Sequence, residues 1–122
     1  MSSAALGASR VGAVLSTLAK HGYRCGRISA SGQRRGARRD EDGLAGDIIA
    51  LADPCSSYPH LIVEVGGPKK IVSRALDELR GSLAPGFAPL VVRFVKPKRR
   101  YHTSEDDAFT DFDDALAAMR EA

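Results

Sequence analysis

Tryptophan is absent from this 122-residue chain, and cysteine occurs only twice, at Cys25 and Cys55. Neither cysteine sits in a CxxC or Cys/His spacing, which argues against a zinc site and favours reduced, packed thiols over a disulfide. No apolar run approaches the roughly 20 residues needed to span a bilayer, so no membrane partner is expected. The opening MSSAALGASR lacks the charged start and long apolar stretch of a signal peptide, so a cytoplasmic protein is expected. His21, His60 and His102 are scattered without metal-ligand or triad spacing, and His60 reads as a turn or surface residue. Ser29 and Ser31 have no His/Asp constellation to make a nucleophile. The segment GGPKK lacks the spaced glycines and Ser/Thr of a phosphate-binding P-loop.

What is present is one soluble domain's worth of chain, 43% hydrophobic and 27% charged. The net charge of +3 hides an asymmetry. Residues 1–104 carry 17 Lys/Arg against 8 Asp/Glu, whereas residues 105–122 carry one Arg against seven acids. The chain therefore divides into a basic α/β core, 1–104, and an acidic C-terminal helix or tail, 105–122. The basic residues cluster in QRRGARR (33–39), PKK (68–70) and KPKRR (96–100). One such cluster reads as a solvated face; three on one small domain point to a polyanion, and nucleic acid is the natural one.

Apolar spacing at Val11, Val14, Leu15 and Leu18 marks a helix starting near Ser9, a plausible N-cap, and stopping at Gly22. A short strand is expected within residues 23–29, then a long exposed loop over 30–45. DIIALA and HLIVEV read as strands around the turn DPCSSYP. A helix follows, with Pro68 in its first turn and Ile71, Val72, Ala75, Leu76 and Leu79 on one face. APLVVRFV is a buried strand and RRYHTS an edge strand. In the tail Phe109, Phe112, Leu116 and Met119 recur at helical spacing. The order predicts a small mixed sheet of four or five strands flanked by helices.

Asp47 opens the first strand of the DIIALA–HLIVEV pair, and Glu64 interrupts the second. A hairpin centred between Cys55 and Ser56 sets these two opposite each other, with Cβ atoms about 4.5–5.5 Å apart. Like charges at that range need a cation. A hard divalent ion such as Mg²⁺, completed by water and substrate phosphate, meets the need. The competing reading is two edge carboxylates paired with arginines.

SASG at 29–32, the Arg-rich loop, GDIIAL and LIVEV occur in an order that resembles the PD-(D/E)XK nuclease superfamily. More narrowly they are similar to its Holliday-junction-resolvase-like branch of archaea, phages and prophages. The likeness spans about residues 9–101 and implies a restriction-endonuclease-like α/β core. It implies a metal-dependent endonuclease for branched or structured DNA, a homodimer acting in DNA recombination in a bacterial or phage-infected cytoplasm. Asp47, Glu64 and the carbonyl of Val65 would be the ligands of Mg²⁺, for which Mn²⁺ could stand in. Ser31, Arg34, Arg35, Arg38 and Arg39, with Lys98, Arg99 and Arg100, would grip the DNA backbone. Two departures stand out. The family's lysine two residues after the glutamate is Gly66 here, which leaves Lys69 or Lys70 to take its catalytic place. Its first-helix acid is missing too: that region has Ser9 and Arg10. Open alternatives are a DNA-binding domain with an impaired site and an unrelated α/β interaction protein.

Overall fold

The computed structural model describes residues 3–28, 46–96 and 98–121. Among these residues, one five-stranded mixed sheet is flanked by three helices. In chain order the elements are α1 (Ser3–Lys20), β1 (Arg24–Arg27), β2 (Ile48–Leu51), β3 (His60–Gly66), α2 (Val72–Arg80), β4 (Phe87–Val95), β5 (Lys98–His102) and α3 (Phe112–Glu121). The strands lie side by side in sequence order. Three neighbouring pairs are antiparallel; β3 and β4 run parallel, joined by the α2 crossover.

The helix ends follow from local chemistry. Helix α1 starts at Ser3, ahead of the expected Ser9, because Ala4, Ala5 and Leu6 are strong helix formers that carry the helix upstream. It stops where expected. Gly22 has φ +86°, and the bonds Tyr23 N–H to Leu18 O (3.1 Å) and Gly22 N–H to Ala19 O (3.0 Å) close the end as a Schellman motif. Helix α2 starts later than expected. Pro68 and Lys69 form a turn, with Lys70 N–H donating to Gly67 O at 3.2 Å, and the N-cap is Ile71. Pro68 and Lys70 are therefore residues of the connecting turn, not of the helix.

Alternation along the strands sorts side chains onto two faces. Val14 and Leu18 of α1 and Phe112, Ala115 and Leu116 of α3 cover Ile48, Ala50, Leu61, Val63, Leu90, Val92 and Tyr101. The opposite face is smaller: Ala75, Leu76 and Leu79 of α2 cover Ile62 and Val91, with Ile28 alongside. The β2–β3 register is Ile48↔Val63, Ile49↔Ile62, Ala50↔Leu61, the one expected from a hairpin centred between Cys55 and Ser56. Half-buried His60 closes this hairpin: its Nδ1 accepts the Ala52 N–H at 2.9 Å, and its ring lies 4.9 Å from that of Phe87. Cys25 is half-buried and free, its thiol pushed up by burial; Cys55 is also free but exposed, unlike the packed thiol expected. No described helix is long and apolar enough to cross a membrane.

Candidate metal and nucleic-acid site

The site lies where β3 ends, on the face covered by α2. Gly46 has φ +102°, and a Cβ there would meet Leu79 Cδ2 at 2.9 Å and Ile62 Cγ2 at 3.1 Å. Glycine alone lets the chain approach α2 this closely and turn into Asp47. At Asp47 the backbone leaves the regular ladder. Its C=O accepts from Ile28 N–H (3.0 Å) while its N–H donates to Val63 O (2.8 Å), so one residue bridges β1 and β3. A residue inside a regular antiparallel strand sends both groups to the same neighbour. Its carboxylate Oδ2 accepts the Val65 N–H at 2.8 Å, which places the Asp47 carboxylate against the strand that carries Glu64.

Glu64 is 9% exposed and follows Ile62 on the α2 face. Its Oε2 forms an ion pair with Lys70 Nζ. Burying a carboxylate is costly unless a cation and hydrogen bonds compensate, and Lys70 supplies both. The stem of Lys70 lies over Gly66: a Cβ at position 66 would sit 2.5 Å from Lys70 Cδ and 3.0 Å from Cγ. Absence of a side chain at 66 is what opens this route. Lys69, by contrast, is exposed and lines the rim of a cleft of about 260 Å³ with Glu64, Lys70, Arg74 and Glu78.

Two cations missed as site residues in the sequence meet the turn that leads to the lysine. Arg93 of β4 is in register with Gly66 and donates from Nη1 to Pro68 O (3.0 Å) and from Nε to His102 Nε2 (3.0 Å). The signal was available: Arg93 interrupts PLVVRF as Glu64 interrupts LIVEV. Arg10 of α1 reaches Gly67, where a Cβ would lie 2.8 Å from its Nη1. The guanidinium also stands 5.9 Å from the Phe94 ring centroid.

The other expected residues fall in three places. Ser31, Arg34, Arg35, Arg38 and Arg39 lie outside the described residues. Lys98 is exposed on edge strand β5, and Arg100, in register with Arg93, folds its Nη1 onto the Lys98 and Arg99 carbonyls. Arg99 turns to the α1 face, donating to Thr17 Oγ1 at 2.8 Å and standing 5.1 Å over the Phe94 ring. That contact ties β5 to α1, away from Glu64.

Asp47 and Glu64 carry carboxylate oxygens and Val65 a carbonyl oxygen, the donor type that hard divalent ions take. Among the described residues no three His, Cys, Asp or Glu side chains gather into a fuller metal cluster. No protein-family model and no curated protein matches this chain.

Proposed function

We propose that this chain is a Mg²⁺-dependent endodeoxyribonuclease acting on branched or otherwise structured DNA, in the manner of the Holliday-junction resolvases its motifs resemble. The observation that carries the reading is the Lys70–Glu64 pair built over Gly66. The motif lysine absent at position 66 has a substitute, four residues on, whose ammonium reaches the motif glutamate. The sheet order, with a hairpin followed by a helical crossover to a parallel strand, also fits the core that the resemblance implies.

When bound, the metal would lower the pKa of a coordinated water and offset charge on the scissile phosphate. Asp47, Glu64 and the Val65 carbonyl would hold it. The Val65 N–H fixes the Asp47 carboxylate, so that group is oriented before any ligand arrives. Lys70, with three ammonium donors, would serve Glu64 and a phosphate or hydroxide oxygen together. Lys69 and Arg74 line the cleft with Lys70, and Arg93 stands in register with Gly66, positive charge suited to a phosphodiester backbone.

The test is cleavage of a four-way DNA junction with Mg²⁺ and with EDTA, using wild type, Lys70→Ala and Lys69→Ala. Mg²⁺-dependent cutting lost in Lys70→Ala and kept in Lys69→Ala is the expected result. A wild type that binds the junction but leaves it uncut supports the alternative, a DNA-binding domain with an impaired site.

A further inference from the structure

His102 is 4% exposed and its two ring nitrogens face groups of opposite character. Nδ1 lies 2.8 Å from the Asp107 carbonyl, which can only accept. Nε2 lies 3.0 Å from Arg93 Nε, which can only donate. One protonation state satisfies both: the neutral ring with its proton on Nδ1. Burial lowers the pKa of His102, and the charge of Arg93 from β4 and of Arg100 from β5 acts the same way. The Asp107 carbonyl and carboxylate, from the loop after β5, oppose that shift. The ring is thus a fixed acceptor, and Asp107 is fixed in turn by Thr103 and Ser104.

The acceptor has one visible consequence, the orientation of Arg93. With Nε bound to His102 and one Nη1 proton on Pro68 O, three of its five N–H groups have no protein acceptor among the described residues. A guanidinium tethered through its Nε and one Nη1 proton loses little rotamer freedom on binding an anion, and its planar fork matches two phosphate oxygens. It sits on β4 in register with Gly66, on the sheet face of Lys70 and Glu64.

We propose that Arg93 is a phosphodiester-binding residue of this face and that His102 is its positioning residue. The ligand class is the DNA backbone, so the inference rests on the nucleic-acid reading above, though not on catalysis. The experiment measures affinity for a four-way DNA junction in EDTA, with salt titrations and melting temperatures for each variant. Arg93→Ala should weaken binding about tenfold and reduce the salt slope by about one. Arg93→Gln, which keeps the stem and an N–H donor near the Nε position that meets His102 but lacks the guanidinium fork, serves the same purpose if the alanine variant does not fold. His102→Phe should weaken binding similarly, and His102→Gln, which retains an acceptor, should recover it. As pH falls below 6.5, wild-type binding should weaken as Nε2 becomes a donor, and His102→Gln should lack that step. A structural role alone would shift melting temperature without touching the salt slope or the pH step. Arg93 variants that bind with wild-type affinity and slope would overturn the proposal. A wild type that binds but does not cut would sink the nuclease reading and leave this one standing; a wild type that binds no DNA sinks both.

Discussion

Beneath α1 and α3 the buried side chains of the sheet are apolar apart from the Tyr101 hydroxyl, with Ile48, Leu61, Val63, Leu90 and Val92 all at 0% exposure. Beneath α2 the apolar surface is Ile62, Val91 and their neighbours, and then it stops: Glu64, Gly66 and Arg93 follow at the C-terminal ends of β3 and β4. Two helices cover the first face and one nine-residue helix covers the second. Stability is concentrated on the fully covered face. The partly covered face can expose charge at its open end, where ligands of open α/β sheets commonly sit beyond the carboxyl ends of the strands. This division predicts that substitutions on the two faces fail in different ways.

The largest effect is expected at the open end. Asp47→Asn or Glu64→Gln should cut Mg²⁺-dependent cleavage of a junction by more than about a hundredfold, since loss of mere outer-shell partners of metal ligands costs roughly 10–100-fold. Both variants should fold and retain most DNA affinity, because the proposed phosphate contacts are arginines and lysines, not these acids. Full activity in both would remove them from the site.

On the other face the expected loss is stability. Phe112 is 5% exposed, packed edge-on against His21 at 4.7 Å and tilted against Tyr101 at 5.5 Å. Phe112→Ala should cost about 3–5 kcal/mol, a large part of the roughly 5–15 kcal/mol typical of a domain. Urea denaturation measures it, and junction binding below the transition should be unchanged. Removal of residues 105–122 should destabilise further, since Ala115 and Leu116 leave with Phe112. Two acids of this segment pair with Arg80 (Glu105, 2.9 Å) and His21 (Asp113, 2.8 Å). These contacts anchor the segment against the folded body, so a truncation that tightens DNA binding without lowering the melting temperature would contradict its role in the core.

A smaller, sharper test joins the two functions of Gly66. A methyl group there would meet the flexible stem of Lys70, which can swing away, so the cost of Gly66→Ala is mainly that of parting buried Glu64 from Lys70, about 1–3 kcal/mol. The ammonium would then leave Glu64, and cleavage should fall to the level of Lys70→Ala. The double variant Gly66→Lys/Lys70→Ala should recover activity by returning the lysine to the strand. Gly66→Ala with wild-type cleavage would dissociate the lysine from catalysis.

The apolar face was the legible one. Leu61, Val63, Leu90 and Val92 announce themselves by alternation, whereas the turn is too long to fix the hairpin register, so the opposition of Asp47 and Glu64 rests on an assumed centre that the β2–β3 pairing matches. Glycine's consequences were not legible. At Gly66 the missing side chain reads as a missing lysine, yet it is the space that admits Lys70; Gly46 reveals its close approach to Leu79 only in three dimensions. Arg93 and His102 lie nine residues apart and meet across β4 and β5, a contact that neither spacing nor composition encodes. Arg99 failed in the opposite sense: its place in KPKRR suggested a solvent-facing grip, but strand alternation turns it onto α1.

The mildest effect separates the faces by pH. His102 belongs to the α2 face and is held neutral, so its folded pKa lies below the ordinary 6.5 because burial penalises the charged ring. The unfolded chain therefore binds more protons than the folded one as pH drops below 6.5, and stability declines there. Asp107 adds a lower step. Burial alone would raise its pKa, but hydrogen bonds from the Thr103 hydroxyl and the Ser104 and Thr103 amides outweigh burial and hold it below 3.8. Its contribution is complete above 3.8 and disappears as pH falls through the folded value. Chemical denaturation between pH 3 and 8 should then give a plateau near neutrality and a fall on the acid side, each step only a fraction of the Phe112→Ala loss. His102→Gln should flatten the step that begins below 6.5, and Asp107→Asn should remove the lower one. Phe112→Ala should lower the whole curve without altering either step, because the partners of His102 and Asp107 lie elsewhere. If His102→Gln leaves the acid limb unchanged, the ring is not held neutral, and the acceptor that orients Arg93 loses its physical basis.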